Sequence, residues 1–350
     1  EAGYRHIDTA LVYENEATIG KVLKRWLDSG KVKREDLFIV TKLPPGGNHP
    51  SLVRKFFMQS LTDLQLEYLD LYLVHTPWAF KYTEGNLHPT NEDGEFLIDP
   101  NTDHIAIWRE MEKLADEGLA KAIGLSNFNE RQIKRVHDNS RVKPANLQVE
   151  VHAYFQQRPL IDFCRQHNIT VTAYSPLGSR GLGSFMKKLG FERELPDLHN
   201  NAVILEMSKK YEKTPAQILL RHIIQRGIAA IPKSTNADRI KQNIDIFDFE
   251  ISPEDVEKID NLDQGENGRV CDFAFFKGLD KHPELLDKPT PRFLPIPQNS
   301  FPFPKNSILK NDTDPKKKIF YSGSTIFRWS YYVASLRNIL ILHIQSQSKK

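Results

Sequence analysis

Four side chains able to give, take or hold a proton occur early in the chain: a carboxylate at Asp8, a phenol at Tyr13, an ammonium at Lys42 and an imidazole at His75. Each stands at or just after the end of a short apolar run. Singly they read as ordinary residues: a turn aspartate, a rim lysine, a satisfied histidine before Thr76 and Pro77. Parallel α/β proteins place their chemistry at the C-terminal ends of strands, so four such groups on one rim form a candidate proton-transfer site. Ser126, Asn127, Gln148 and Tyr174 close later runs in the same manner and join the set. No histidines, cysteines or carboxylates recur at metal-ligand spacing, and no Gly-x-Ser-x-Gly turn is present. Neither a metal centre nor a serine nucleophile is expected.

The runs that would carry these residues read as strands at 4–8, 38–42, 69–75, 120–126, 145–151, 169–174 and 228–231. Residues 14–29, 51–66, 105–117, 130–138, 160–167 and 215–225 have helical spacing between them. Short strands alternating with helices require parallel pairing through crossovers. Continuous apolar runs such as LYLV at 71–74 suit strands covered on both faces. Seven such steps point to an α/β barrel, with an open doubly wound sheet as the alternative. A (β/α)8 barrel of the TIM type has eight strands. Glu1 already lies in the approach to a strand, so the missing first strand is expected before residue 1.

Two connections, 76–104 and 175–198, exceed the usual loop length and are expected to be functional loops on the active face. Ser252-Pro253 starts a last helix, and Gly265 stops it. Seven prolines between 283 and 305 then forbid regular packing. The reading is one unit over 1–284, a Pro-rich linker over 285–305 and a basic, partly apolar tail over 306–350, expected to be disordered.

Hydrophobic residues at 39%, charged residues at 27% and a mean hydropathy of -0.49 exclude a wholly disordered chain and a membrane bundle. Cys164 and Cys271 are too few for a disulfide framework, so a reducing, cytoplasmic setting is expected. The net charge of +3 belongs to the tail, which holds eight of the 48 bases but two of the 45 acids. No nucleic-acid or membrane partner is inferred from it.

The segments GYRHIDTALVYENE, FIVTKL, LDLYLVHTP, AIGLSNFN, LQVEVHAY, TAYSPLG and IPKSTNADRIKQN, in this order, resemble the aldo-keto reductase family over residues 1–284. The resemblance implies a monomer that reduces aldehydes and ketones with NADPH. Tyr13 would be the general acid, Lys42 the cation that tunes it, Asp8 the partner that aims Lys42, and His75 the group that orients the substrate carbonyl. A cation about 4 Å away at an effective dielectric of ~20 is worth ~4 kcal/mol, enough to lower a phenol by up to roughly three pKa units, minus whatever desolvation takes back. Tyr174 would stack on the nicotinamide, while Ser126, Asn127 and Gln148 would hold its carboxamide. Ser175, Leu177 and Gly178 match pyrophosphate contacts. Lys233, Ser234, Arg239 and Asn243 match the clamp on the 2′-phosphate and adenine.

For the substrate pocket, the resemblance implies His75, Thr76, Trp78, Phe273, Phe275 and Phe276. Thr76 stands where the family often has Trp, and Pro44 replaces an aromatic, so substrate preference is expected to differ. A nucleotide-binding protein that no longer turns over is the alternative reading.

Overall fold

The computed structural model describes residues 1–179, 181–182, 195–273 and 276–285. Apart from Leu285, the expected linker and tail, and also Phe275, lie outside the described residues.

Seven strands form one parallel sheet: β1 (His6–Asp8), β2 (Phe38–Leu43), β3 (Leu71–Val74), β6 (Ile123–Ser126), β7 (Asn146–Glu150), β8 (Thr170–Tyr174) and β9 (Ala229–Ala230). Neighbours in the sheet follow chain order without reversal, which discards the doubly wound alternative. β1 and β7 are four steps apart, about 19 Å in a flat sheet. Yet Gln148 of β7 touches Asp8 of β1 at 2.6 Å, so the sheet is strongly curled. Among the described residues no eighth strand joins β9 to β1, and the seven expected strands form a curled half-barrel.

The helices are α1 (Glu16–Asp28), α2 (Pro50–Leu64), α3 (His104–Asp116), α4 (Glu130–Asp138), α5 (Arg158–Gln166), α6 (Ala202–Tyr211), α7 (Pro215–Gln225), α8 (Ala237–Ile244) and α9 (Pro253–Asp260). Their starts are locally encoded. Asn129 and Thr214 form capping boxes with Gln132 and Gln217, and Ser252 accepts from the Asp255 amide. The core lies between sheet and helices, with Ile39, Phe57, Leu64, Met111 and Leu220 fully buried. Gly20 lets α1 close on α2, since a Cβ there would come within 2.2 Å of the Asp63 carbonyl. The long 76–104 connection carries a small antiparallel pair, β4 (Ala79–Phe80) with β5 (Ile98–Asp99), beside the C-terminal ends of the strands.

Candidate active site

β1 ends at Asp8, and the chain then makes a 3-10 turn, Leu11–Tyr13, closed by Glu14 in the left-handed region. That turn swings Tyr13 over the strand ends. Lys42 arrives from β2 and His75 from just beyond β3, so curvature of the sheet brings all four groups together.

Lys42 Nζ donates to Asp8 Oδ1 at 2.5 Å and to the Thr9 carbonyl at 2.8 Å, and it stands 5.2 Å from the Tyr13 ring centre. Both charges are buried. Removing either partner of such a pair costs about 3–5 kcal/mol, because the other is left unpaired. Burial lowers the Lys42 pKa and Asp8 pulls it back up, so Asp8 is what keeps the ammonium charged. Tyr13 and His75 meet edge to face at 5.8 Å. Burial, followed by Lys42, holds His75 well below its usual value, so the imidazole is neutral.

The expected downward tuning of Tyr13 is not observed. Burial first, then the Asp8 carboxylate, push the phenol well above its ordinary value. The reason is local: Lys42 is engaged by Asp8 at contact distance, while the phenol is buried beside the Asp8 carboxylate. A phenol shifted this way keeps its proton at neutral pH, which suits a donor.

Asp8, Tyr13 and His75 face a cleft that is also lined by Thr76, Ser126, Asn127, Gln148, Tyr174, Ser175, Phe273 and Phe276, while Lys42 lies fully buried behind Asp8. Within it, two residues expected on the nicotinamide carboxamide are already engaged with the protein. Gln148 Nε2 donates to Asp8 Oδ2 at 2.6 Å. Asn127, in the left-handed region, donates to the His75 carbonyl at 2.9 Å and accepts from the Tyr174 hydroxyl at 2.8 Å. Asn127 thus joins the ends of β3 and β8.

Trp78 is not part of the lining. It is fully buried behind the wall and packs edge-on against Phe273 at 4.8 Å. Val12, Phe80, Leu87, His88, Leu182 and Cys271 line the cleft and were not singled out by sequence. The length of the 76–104 loop was the available signal for Phe80, Leu87 and His88.

The remaining expected cofactor residues lie outside the cleft, on the loops leaving β8 and β9. Gly178 takes a φ of +73°, and a Cβ there would strike Leu198 at 2.6 Å. Leu177 is partly buried beside it. Lys233 is exposed two residues after Ile231, which lines the cleft, and Ser234 is half-buried. The Asn236 side chain caps α8 by accepting from the Arg239 amide, leaving the Arg239 guanidinium exposed in the first turn. Asn243 is buried. Among the described residues neither Lys233 nor Arg239 has a salt bridge, so both cations are free to meet an anion. A flat ring at Tyr174, polar strand ends and a basic loop beyond β9 together fit an anionic dinucleotide. Among the described residues no group of three or more His, Cys, Asp or Glu could hold a metal, and no helix is long and apolar enough to cross a membrane.

Residues 1–264 match the Aldo/keto reductase family. Aldo-keto reductase family 1 member A1 of Mus musculus is 47% identical over 264 residues, covering 75% of this chain and 79% of the relative. Dihydrodiol dehydrogenase 3 of Bos taurus is 43% identical over 264 residues, covering 75% and 80%. Among solved structures, the aldose reductase from Schistosoma japonicum superposes with a TM-score of 0.69 at 42% identity, covering 77% of this chain and 83% of that one.

Proposed function

Since the chain belongs to the aldo/keto reductase family, we propose that it reduces aldehydes and ketones to alcohols with NADPH. The observation that carries this reading is the gathering of Asp8, Tyr13 and His75 in one cleft with Tyr174, with Lys42 buried against Asp8. NADPH, when bound, supplies the hydride to the carbonyl carbon.

Tyr13 gives its proton to the carbonyl oxygen, and Lys42 steadies the negative charge left on the phenol. Asp8 holds Lys42 in place and keeps it charged. The neutral His75 donates one hydrogen bond to the substrate oxygen and orients it. Tyr174 supports one face of the nicotinamide, with Ser126, Asn127 and Gln148 at its carboxamide edge. Ser175, Leu177 and Gly178 take the pyrophosphate, and Lys233, Ser234, Arg239 and Asn243 the 2′-phosphate end. Phe273, Phe276, Phe80 and Thr76 form the substrate side, which suits an apolar or aromatic carbonyl compound.

We read residues 1–284 as the reductase unit, acting as a cytoplasmic monomer on the TIM-type barrel plan. An intact set of four proton-handling groups argues against a nucleotide-binding protein without turnover. The test is spectroscopic: reduced-nicotinamide absorbance should fall when a reactive aromatic aldehyde is added to enzyme and NADPH. Tight NADPH binding with no such fall across a carbonyl panel would favour the non-catalytic reading.

A further inference from the structure

Glu150 ends β7 fully buried, and no step of the proposed reaction uses it. In the register of the sheet it sits directly beside Tyr174 of β8. Alternation along the strand puts it on the same face as Gln148. Its Oε1 accepts from the Val270 amide at 2.7 Å and from His152 Nε2 at 3.0 Å, and its Oε2 accepts from the Cys271 amide at 2.7 Å. Burial pushes the carboxyl pKa up, but His152 and the two amides outweigh it and leave the group below its usual value.

Val270 and Cys271 root a C-terminal segment against the cleft. Together with Leu182 they form a buried cluster onto which Tyr174 and Phe273 pack. Just upstream, Arg269 chelates Glu266 with two nitrogens and lies 4.3 Å over the Phe155 ring. Gly268 abuts the 153–156 turn so closely that a Cβ would fall 1.9 Å from the Tyr154 carbonyl. Downstream, Phe273 holds a φ of +61°, a conformation unfavourable for a residue with a β-carbon and held only where the surroundings fix it.

We propose that Glu150 is a positioning residue for the substrate pocket, gripping the Val270 and Cys271 amides so that Cys271 and Phe273 form a fixed wall beside Tyr174. The grip is a carboxylate property. A glutamine in its place offers one acceptor oxygen, and its amide nitrogen would confront the second backbone N–H with another donor. The pocket role rests on the reductase reading; the grip itself does not.

Three measurements test this. In the wild-type protein, amide hydrogen exchange should show Val270 and Cys271 strongly protected; exchange at the rate of an unstructured amide would overturn the proposal. In Glu150→Gln, alkylation mapped by peptide mass spectrometry should speed up about tenfold at Cys271, the equivalent of one lost charge-assisted hydrogen bond. Cys164, on the buried face of α5, should keep its wild-type rate. An unchanged Cys271 rate in folded Glu150→Gln would overturn the grip. For catalysis, KM for a bulky aromatic aldehyde should rise about fivefold or more, with kcat and the KM of a small aliphatic aldehyde within about twofold, because only the wall has moved. An equal fall in kcat for both substrates would refute a pocket role. Should Glu150→Gln fail to fold, the exchange measurement still decides. If the wild type reduces no aldehyde at all, the reductase reading fails while exchange and alkylation still judge the grip.

Discussion

Gln148 Nε2 meets Asp8 Oδ2 at 2.6 Å, linking two residues 140 positions apart. Asp8 therefore divides its two oxygens between Lys42 and Gln148, so the residue proposed at the cofactor's carboxamide edge is wired to the pair proposed to support the proton donor. Gln148→Leu should consequently disturb both functions. A buried hydrogen bond to a charge is worth about 1.5–3 kcal/mol, so kcat should fall by about tenfold or more alongside weaker NADPH binding. Parallel kcat measurement and nucleotide fluorescence titration would check this. A variant that loses affinity alone would show that the Asp8 contact carries no catalytic weight.

Tyr13→Phe removes the proposed proton donor and leaves the Asp8–Lys42 pair intact. Reduction should drop by about 10²–10⁴-fold, the usual worth of a positioned acid, with NADPH affinity within a few-fold. Lys42→Met should lose as much activity but also stability, since it strands the buried Asp8 carboxylate. Steady-state rates and melting curves for both variants separate the two roles. Retention of more than about a tenth of the activity by Tyr13→Phe would reassign the acid.

Cofactor choice should follow the loop beyond β9. Only NADPH carries the phosphate that Lys233 and Arg239 would meet, and each charge-assisted contact is worth about 1.5–3 kcal/mol. NADPH should bind at least tenfold more tightly than NADH. Arg239→Ala should erase most of that gap by weakening NADPH alone. Equal loss for both nucleotides would show that Arg239 serves only α8.

Stability should fall across neutral pH because of Glu16. This carboxyl at the start of α1 is buried, accepting from Thr41 and, at 2.9 Å, from Ser60. Burial raises its pKa from 4.5 to about 7. The folded chain thus binds this proton more tightly than the unfolded chain. The stabilisation is complete below pH 4.5 and is lost as pH rises through about 7. The shift corresponds to roughly 3 kcal/mol, or about 5 °C in Tm for a folded unit of this size. Melting curves between pH 5 and pH 8 should show this decline in the wild type and a much flatter response in Glu16→Gln. Identical pH dependence in the two would place the titration elsewhere.

Sequence by itself determined the alternation of strands and helices, the parallel pairing and the set Asp8, Tyr13, Lys42 and His75. Those features rest on local rules: apolar runs bounded by turn residues, capping boxes at Asn129 and Thr214, and side chains placed at strand ends. Motif order alone placed the chain in its family. Helix α6 went unread although Asn201 caps it, because its apolar positions Val203, Ile204 and Met207 make only a short face. Tertiary structure decided what each polar group was used for. Curvature brought Gln148 to Asp8, spent Asn127 on His75 and Tyr174, hid Trp78 behind Phe273 and closed Glu150 on Val270 and Cys271. It also reversed the expected shift of Tyr13, since burial is set by everything packed around a group and no spacing along the chain encodes it.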